Sequence, residues 1–202
     1  MRRVVILGCP GSGKSTLSRK LGEKLGLPVV HLDKLNWREG WVNVSREEFD
    51  RLLAEVLRKE DWIIDGNYSR TIPARLERCD TAVFLDYPRS LCLWGVLKRV
   101  LKGHGRTRSD MGPGCPERLD REFIRYVWAF RRTQRDKIVR LLEEYAACGV
   151  RVERLRSRGE ERVRDERSAQ KWAVPACGGN SVLISRGGYG KIVRKSSGSE
   201  WI

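Results

Sequence analysis

The segment Gly8-Cys9-Pro10-Gly11-Ser12-Gly13-Lys14-Ser15 matches the pattern G-x-x-x-x-G-K-[ST] at every fixed position. Glycines at these positions allow the backbone to curl around phosphate groups and to point its N–H groups at them. Lys14 can reach the β- and γ-phosphates of a nucleotide, and the Ser15 hydroxyl can bind Mg²⁺. The loop and the adjacent Thr16 therefore predict a binding site for a nucleoside triphosphate and Mg²⁺. The alternative is a glycine-rich turn that carries Lys-Ser by chance.

Magnesium bound by such a loop needs a second protein ligand, which is usually an acidic residue at the end of a neighbouring strand. Three aspartates, Asp33, Asp65 and Asp86, each follow an apolar run of strand length. Asp65 is the preferred candidate because it follows Trp-Ile-Ile directly and precedes Gly66. The alternative for each aspartate is a helix N-cap or a turn, and Pro88 makes a turn the favoured interpretation of Asp86.

Alternating strand and helix patterns place these residues in an α/β chain. Apolar, β-branched runs predict five strands, at Val4–Leu7, Val29–Leu32, Trp62–Ile64, Ala82–Leu85 and Val150–Leu155. Apolar residues at helical spacing predict helices between them, at Lys14–Gly26, Ser45–Leu57, Arg89–Lys102, Leu119–Arg132 and Asp136–Ala147. Strands that alternate with helices predict a parallel sheet that is covered by helices on both faces.

Two regions lie outside this alternation. The segment 103–118 is a loop rich in Gly, Pro and Arg between two predicted helices. After about residue 157 the strand and helix periods end, since residues 158–167 carry dense mixed charge and residues 177–199 are rich in Gly and Ser. We therefore expect a folded domain at 1–157, followed by a basic Gly/Ser-rich tail at 158–202 that is flexible or weakly ordered.

Composition narrows the class of protein. The 202 residues include 41 Lys and Arg against 26 Asp and Glu, which gives a formal net charge of +15. With 40% hydrophobic and 33% charged residues, the chain is neither wholly disordered nor a multi-span membrane protein. The positive charge indicates either a nucleic-acid partner or a site for small polyanions such as nucleotides.

The cysteines and the N-terminal residues predict a compartment. Six cysteines are scattered without a Cys-x-x-Cys pair, and the sequence has only two histidines. Free thiols are therefore expected, and a zinc site is not indicated. The first residues lead directly into a short apolar run and a glycine turn, which is not the pattern of a signal peptide. We expect a cytoplasmic location and no membrane partner.

Together these motifs resemble the P-loop kinases of the nucleoside-monophosphate-kinase type. More narrowly, the chain is similar to the bacterial DNA topology modulation proteins, which are related to adenylate kinases. The resemblance covers about residues 1–156 and rests on the stretches His31-Leu32-Asp33, Trp62-Ile63-Ile64-Asp65-Gly66-Asn67-Tyr68, Phe84-Leu85-Asp86-Tyr87-Pro88-Arg89 and Gly114-Cys115-Pro116-Glu117-Arg118. It implies a three-layer P-loop NTPase fold with strand order 2-3-1-4-5, an acceptor segment at 34–61 and an arginine-rich lid at 103–118.

The resemblance also implies ATP and Mg²⁺ as cofactors and a set of catalytic side chains. Lid arginines of such kinases close over the nucleotide, and arginine suits this role because its planar guanidinium binds phosphate oxygens in pairs. Several small-molecule kinases of this superfamily place a carboxylate at the position of Asp33. That carboxylate would accept the proton of an acceptor hydroxyl, whereas an acceptor monophosphate would need no base. The candidate arginines are Arg99, Arg106, Arg108, Arg118, Arg121 and Arg125, with Arg99 and Arg118 preferred and solvated surface charges as the alternative.

The sequence does not identify the phosphoryl acceptor. Adenylate kinases carry Asp-Gly-Phe-Pro-Arg where this chain has Asp65-Gly66-Asn67-Tyr68-Ser69-Arg70, so their acceptor specificity does not carry over. Trp37, Trp41 and Tyr68 are expected either to stack on a base or to form the core of the acceptor segment, and His31 is expected to be a packed strand residue.

The leading hypothesis is a Mg²⁺-dependent phosphotransferase that moves the γ-phosphoryl group of ATP to a small acceptor, a nucleoside or a nucleotide. The rival hypothesis is an ATP-binding regulatory protein that binds DNA and modulates its topology without small-molecule kinase activity. The net charge permits a DNA partner but does not require one. No helix-turn-helix, RNA-binding or zinc-finger motif supports the rival hypothesis.

Overall fold

A computed structural model describes residues 1–103, 105–117 and 120–160 of the chain. Within these residues the strands are β1 (Arg3–Gly8), β2 (Val29–His31), β3 (Trp37–Arg38), β4 (Val42–Asn43), β5 (Trp62–Asp65), β6 (Thr81–Leu85) and β7 (Arg151–Leu155). Strands β2, β5, β1, β6 and β7 form one parallel sheet in that order, and β3 and β4 pair as a separate antiparallel hairpin. Counted along the chain, the five parallel strands have the order 2-3-1-4-5, which confirms the prediction.

The helices are α1 (Lys14–Leu25), α2 (Leu32–Asn36), α3 (Arg46–Leu57), α4 (Ile72–Leu76), α5 (Arg89–Gly103), α6 (Arg121–Phe130) and α7 (Asp136–Ala147). A π-helical turn at Arg131–Arg135 joins α6 to α7. The Ser45 hydroxyl accepts a 3.1 Å hydrogen bond from the Glu48 N–H, as expected of the N-cap that starts α3. The short elements α2, β3, β4 and α4 were not predicted, and Leu32 begins α2 instead of ending β2, because tertiary packing decides such short pieces.

The core surrounds the three central strands. Residues Val4–Leu7 of β1 and Trp62–Ile64 of β5 are fully buried as continuous runs, and so are most residues of β6. Continuous burial without alternation is the pattern of a parallel sheet covered by helices on both faces, which confirms the predicted α/β class. Among the described residues, no helix is both long enough and apolar enough to cross a membrane.

The strand register brings the functional candidates to one edge of the sheet. Asp65, the last residue of β5, pairs with Ile6 of β1 on one side and with His31 of β2 on the other. Because the strands are parallel, the loops that follow β1, β2 and β5 all emerge at this carboxyl edge. The P-loop (8–15), Asp33 and Asp65 are therefore neighbours in space.

Candidate active site

The P-loop connects β1 to α1, and its geometry requires its glycines. Gly11 has a φ of 79° and Gly13 a φ of 101°, a left-handed region that residues with a Cβ rarely adopt. A Cβ on Gly11 would also lie 2.2 Å from the carbonyl oxygen of Cys92 in α5. At Gly13, apart from the local backbone and the adjacent residues, no described atom lies within 4 Å of the position of a Cβ. One side of the loop thus packs on α5, while the side at Gly13 is open.

Lys14 places a positive charge beside the first residues of the P-loop. Its ammonium group donates hydrogen bonds to the carbonyl oxygens of Gly8, at 2.9 Å, and Cys9, at 3.1 Å. Burial lowers the pKa of Lys14, while the nearby carboxylates of Asp65 and Asp33 favour its charged form. The first N–H groups of α1 lack partners within the helix and add partial positive charge. This arrangement suits a polyphosphate.

The other predicted loop residues surround this group of donors. Ser12 is buried, and its hydroxyl has no hydrogen-bond partner among the described residues. Pro10 is half-buried and Thr16 is exposed. The Thr16 N–H donates to the Gly13 carbonyl oxygen at 3.0 Å, which starts the first turn of α1. Ser12 therefore lies inside the loop, and Pro10 and Thr16 lie at its margin.

Asp65 lies beside the first turns of α1 and is 3% exposed. Its Oδ2 accepts a 3.3 Å hydrogen bond from the Ser18 hydroxyl, and that hydroxyl is also 3.1 Å from the Ser15 carbonyl oxygen. Its Oδ1 lies 2.8 Å from Nδ1 of His31. His31 is packed at the end of its strand, as expected, and it also orients Asp65, which the sequence did not reveal. Serine and histidine together fix the carboxylate.

Ser15 and Asp65 fit a Mg²⁺ ion by the chemistry and the placement of their oxygens. Proteins hold Mg²⁺ through one or two carboxylates together with water and substrate phosphates. Ser18 contacts the backbone carbonyl oxygen of Ser15 and Oδ2 of Asp65, so the residues that carry the two predicted ligands both adjoin Ser18. In the described part of the chain, no group of three or more His, Cys, Asp or Glu side chains could hold a metal. The protein donors that Mg²⁺ would use here are thus a hydroxyl and a carboxylate.

Asp33 lies in the first turn of α2 and is held by Tyr68. The Tyr68 hydroxyl donates a 2.9 Å hydrogen bond to Oδ1 of Asp33. Burial raises the pKa of Asp33, and the bond from Tyr68 and the charge of Lys14 oppose the increase. Tyr68 has a φ of 36°, a strained value for a residue with a Cβ. The turn after β5 is thus held in a strained conformation that brings Tyr68 to Asp33.

Two residues that the sequence did not identify fix this turn. Asn67 accepts a hydrogen bond from the Gly8 N–H at 3.1 Å and donates one to the Gly8 carbonyl oxygen at 2.8 Å, which ties the turn to the P-loop. The Arg75 guanidinium is fully buried and donates to the carbonyl oxygens of Gly66, at 2.8 Å, and Asn67. Burial lowers the pKa of Arg75 to about 9. The available sequence signal was an arginine within the otherwise apolar stretch Ile72–Leu76.

Two of the predicted lid arginines converge on Glu117, a buried carboxylate of the lid (103–118). Nε of Arg99 lies 3.1 Å from Glu117, and Nε of Arg108 lies 2.5 Å from it. Arg108 also forms a 3.0 Å ion pair with Asp110. Glu117 is 4% exposed and was not identified from the sequence. Arg99 and Arg108 are therefore each oriented by a carboxylate, and their contact with phosphate stays a prediction.

The other candidate arginines have different positions. Arg106, Arg121 and Arg125 are exposed. The backbone of Arg106 forms the base of the lid, where its carbonyl oxygen accepts a 3.0 Å hydrogen bond from the Glu117 N–H. Arg118 lies outside the described residues. A phosphate contact by any of these four side chains also stays a prediction.

The lid packs on the acceptor segment (34–61). A Cβ on Gly112 would lie 2.0 Å from the Trp37 carbonyl oxygen, so the two backbones are in direct contact. The Cys115 thiol donates a 3.2 Å hydrogen bond to the Arg38 carbonyl oxygen. The segments predicted to bind the two substrates therefore meet over the P-loop side of the sheet.

Asp110 connects the lid with the P-loop. It is 6% exposed. Burial would raise the pKa of Asp110, but the charge of Arg108 and a hydrogen bond from the Ser15 hydroxyl hold it below its ordinary value. The neighbouring Ser109 hydroxyl accepts a 3.4 Å bond from Arg19 of α1. The predicted metal ligand Ser15 is thus in contact with the lid, a relation that no sequence motif indicated.

The aromatic residues of the acceptor segment pack on each other and on Tyr68. The Trp37 and Trp41 rings meet edge to face with centroids 5.4 Å apart, and Tyr68 stacks on Phe49 at 4.9 Å. These contacts agree with the interpretation that they form the core of the segment, and stacking on a base stays a prediction. A cleft of about 500 Å³, here called the acceptor cleft, adjoins Tyr68, and its lining includes Asn36, Asn43, Ser45, Arg46, Phe49 and Ser69.

Asp86, the third aspartate at a strand end, binds two arginines. It accepts hydrogen bonds from Nε and Nη2 of Arg135, at 2.8 and 3.0 Å, and from Nε and Nη2 of Arg154, at 2.9 and 2.5 Å. Burial alone would raise the pKa of Asp86, but these bonds outweigh burial and hold the pKa below its ordinary value. Through these two arginines, Asp86 links the end of β6 to β7 and to the π-helical turn before α7.

No family model matches the sequence. The chain is 29% identical to the adenylate kinase of Thermosipho melanesiensis over 106 residues, which are 51% of this chain and 48% of that protein. It is 33% identical to the adenylate kinase of Mycobacterium leprae over 107 residues, which are 51% of this chain and 57% of that protein. The chain thus spans about half the length of the relatives that it matches.

Among solved structures, the chain is similar to a shikimate kinase from Bacteroides thetaiotaomicron, with a TM-score of 0.45 and 20% identity. That similarity covers 85% of this chain and 96% of the kinase. The sequence relatives are adenylate kinases by name, so this chain is similar to kinases over half of its length.

Proposed function

We propose that the chain is an ATP-binding, Mg²⁺-dependent P-loop phosphotransferase that moves the γ-phosphoryl group to a small acceptor, a nucleoside or a nucleotide. The observation that carries the proposal is the position of Lys14. The ammonium group lies among the P-loop carbonyl oxygens and interacts with the carboxylates of Asp33 and Asp65 at the same sheet edge. Phosphoryl transfer needs these parts close together, because its catalysis is mostly positioning and neutralisation of charge.

In this proposal, different residues bind the phosphates and the metal ion. The P-loop amides and Lys14 bind the phosphates of ATP, and the Ser15 hydroxyl and Asp65 carboxylate hold Mg²⁺. When bound, Mg²⁺ neutralises charge on the phosphate oxygens. Ser18 and His31 keep Asp65 oriented, since they contact its two oxygens. The adenylate kinase relatives support this assignment by name and do not extend over the whole chain.

The lid supplies charge and excludes water in this proposal. Glu117 orients Arg99 and Arg108, and guanidinium groups fixed in this way bind phosphate oxygens with little further loss of entropy. The lid contacts the acceptor segment and Ser15, so it covers the space between the two substrates. Covering this space suppresses transfer to water.

The decisive variant is Lys14→Ala. We expect ATP turnover to fall by about 10²–10³-fold, because the loop loses the cation that faces the phosphates. The measurement is transfer from labelled ATP with Mg²⁺, in the presence of a panel of nucleosides and nucleoside monophosphates. The matched control is Lys20→Ala, an exposed lysine of the same helix, which should keep full activity. Unchanged turnover in Lys14→Ala, in a variant that melts like the parent protein, contradicts the proposal.

A further inference from the structure

We propose that the surface formed by α5 and α6 binds an anionic lipid surface, with exposed indole and leucine side chains among the lipid headgroups and with lysines and arginines on the lipid phosphates. This inference goes beyond the proposed function and does not depend on it, because it assigns no role to the P-loop, Asp65 or the lid. Three observations on the described residues carry it, and they concern a stripe of apolar side chains, a groove and the surrounding charge.

The first observation is a stripe of exposed apolar side chains along α5. Trp94, Leu97 and Leu101 are 55%, 40% and 71% exposed. Their spacing of three and four residues places them on one face of the helix. The opposite face, which includes Cys92 and Val96, is buried against the P-loop. Exposed apolar side chains that are grouped in this way mark an interaction surface.

The second observation is a groove of about 600 Å³ between α5 and α6, here called the α5–α6 groove. Its lining includes Leu93 and Trp94 of α5 and Ile124 and Trp128 of α6. Trp128 is 53% exposed, and the guanidinium carbon of Arg89 lies 4.3 Å from the centre of its ring. Tryptophan favours the boundary between water and lipid, because its ring is apolar and its N–H is polar. The groove therefore presents two indoles and a guanidinium at one surface.

The third observation is the positive charge around the stripe and the groove. α5 carries four Lys and Arg residues and no Asp or Glu, and Glu122 is the one acidic residue of α6. Lys98 and Lys102 are exposed next to the stripe, and Arg131 lines the groove. None of these three cations forms an ion pair with a carboxylate of the described residues. Basic side chains beside an apolar surface extend their charged ends to lipid phosphates and strengthen binding to anionic membranes.

These observations favour a lipid surface over other occupants. A second copy of the chain would bring the same basic surface onto itself, and the sequence after residue 160 also carries more basic than acidic residues. A nucleic acid would match the charge, but leucine side chains have no planar face on which a base stacks. An acidic peptide in the groove would leave Leu101 in water, since this side chain does not line the groove. A lipid surface covers the stripe and the groove together.

The position of this surface is compatible with nucleotide binding. The exposed stripe lies on the face of α5 opposite to the one that packs on the P-loop at Gly11. A protein bound to lipid through the stripe therefore keeps its P-loop away from the membrane. The expectation of no membrane partner rested on the lack of a signal-peptide pattern, and contact with a lipid surface requires neither a signal peptide nor a spanning segment.

The test is co-sedimentation of the full chain with vesicles of phosphatidylglycerol and phosphatidylcholine, or of phosphatidylcholine alone. We expect binding to the anionic vesicles that decreases as salt is added, and binding to the zwitterionic vesicles that is weaker by about tenfold or more. The variant Trp94→Ser/Leu101→Ser keeps the net charge, and its partition coefficient should fall by about tenfold or more. The control is Val42→Ser, which removes an exposed apolar side chain elsewhere and should bind like the wild type.

A pair of charge variants tests the lysines. Lys98→Gln/Lys102→Gln should weaken binding to the anionic vesicles by roughly 10–30-fold, because the basic residues closest to the surface contribute most. The matched control is Lys20→Gln/Lys137→Gln, which removes the same charge from exposed positions on α1 and α7 and should weaken binding by less than about threefold.

Brominated phosphatidylglycerol tests the position of the indoles, since bromine quenches the fluorescence of tryptophan nearby. We expect quenching in the wild type. The variant Trp94→Phe/Trp128→Phe keeps two aromatic rings and the net charge, so it should still bind the vesicles and should lose the quenching.

Several results would overturn the lipid-binding surface. One is a wild-type protein that does not sediment with anionic vesicles at low salt. Another is full binding by Trp94→Ser/Leu101→Ser, which would show attraction by net charge alone, and a third is quenching that persists in Trp94→Phe/Trp128→Phe. If a single-stranded oligonucleotide displaces the vesicles and its own binding is lost in Trp94→Ser/Leu101→Ser, the occupant is a nucleic acid. If sedimentation velocity shows a dimer that this variant abolishes, the occupant is a second copy. None of these results alters the ATP turnover of Lys14→Ala, so the two proposals fail separately.

Discussion

Two aspartates flank the central strand β1 symmetrically and have opposite surroundings. Asp65 ends β5 on one side of β1, and Asp86 follows β6 on the other. Asp86 is bound by two guanidinium groups, which neutralise its charge. Asp65 is held by a hydroxyl and an imidazole and faces Lys14. The same local pattern, an apolar strand that ends in aspartate, thus gives a structural ion pair on one side and a candidate metal ligand on the other.

The partners that cause this difference come from distant parts of the sequence. Arg135 and Arg154 are 49 and 68 residues away from Asp86, and Ser18 is 47 residues away from Asp65. A carboxylate that accepts bonds from two arginines is already neutralised, so it is a poor ligand for a further cation. A hydroxyl such as that of Ser18, in contrast, donates to a carboxylate without neutralising it and leaves its charge available for a metal ion.

The largest expected effect is on activity, in Asp65→Asn. We expect kcat for phosphoryl transfer to fall on the order of 100-fold, because the neutral amide is a weaker ligand for Mg²⁺. Steady-state transfer from labelled ATP over a Mg²⁺ series measures the change, and the apparent Mg²⁺ requirement should increase with it. The matched control, Asp86→Asn, should stay within threefold of wild type. Equal losses in both variants would show that the two aspartates do not differ in role.

The second prediction concerns stability, in Asp86→Ala. Removal of the carboxylate leaves Arg135 and Arg154 without their shared partner, and their side chains are only 21% and 29% exposed. We expect the free energy of unfolding to fall by about 2–3 kcal/mol, less than for a fully buried pair because the arginines are partly exposed to solvent. Urea denaturation of the wild type and the variant measures this difference in the free energy of unfolding. A loss below about 0.5 kcal/mol, the scale of an exposed ion pair, would contradict the proposed structural role.

The third prediction is the pH dependence of that stability. Hydrogen bonds from Arg135 and Arg154 hold the pKa of Asp86 below its ordinary value, so the folded state favours the ionised form. The resulting stabilisation is present above the unfolded-state pKa of about 3.9 and is lost as the pH falls through the lower folded-state pKa. The stability difference between wild type and Asp86→Ala should therefore be constant from pH 7 to pH 5 and should decrease below about pH 4. A difference that grows as the pH falls would contradict this sign.

The features that depend on residues close together in the sequence could be predicted from it. The glycines and Lys14 of the P-loop are contiguous, and the strands are apolar runs of ordinary length, so the α/β class and the sheet order could be predicted. Pro88 indicated the change from strand to helix, since residues 86–88 link β6 to α5. The segment Arg46–Leu57 was predictable because its capping box and its helical period agree.

The contacts at the carboxyl edge of the sheet join residues that are far apart in the sequence, so the sequence pattern did not predict them. Asn67 binds Gly8 over a separation of 59 residues. The residue types alone do not indicate such a bond, because it depends on the register of the strands. The lid is a similar case, because arginines were expected there and the carboxylate that orients them, Glu117, was not. The hairpin β3–β4 has strands of two residues, too short for an alternating pattern to be recognised.

The smallest expected effect distinguishes Asp33 from Asp86 by the sign of the pKa change. Burial raises the pKa of Asp33, and the groups that face it are Tyr68, Lys14 and Arg108, which lower it, and Asp65, which raises it. In Tyr68→Phe the neutral donor is lost, so the pKa of Asp33 should rise further above its ordinary value. If Asp33 acts as the base, activity falls as the pH drops through this pKa, and the acidic limb of the kcat profile should move to higher pH. The plateau at high pH should keep at least a third of the wild-type kcat, and Asp86→Asn should leave the limb in place. A limb that stays in place would show that it does not report the titration of Asp33, and a limb that moves to lower pH would contradict the donation of a hydrogen bond from Tyr68 to the carboxylate.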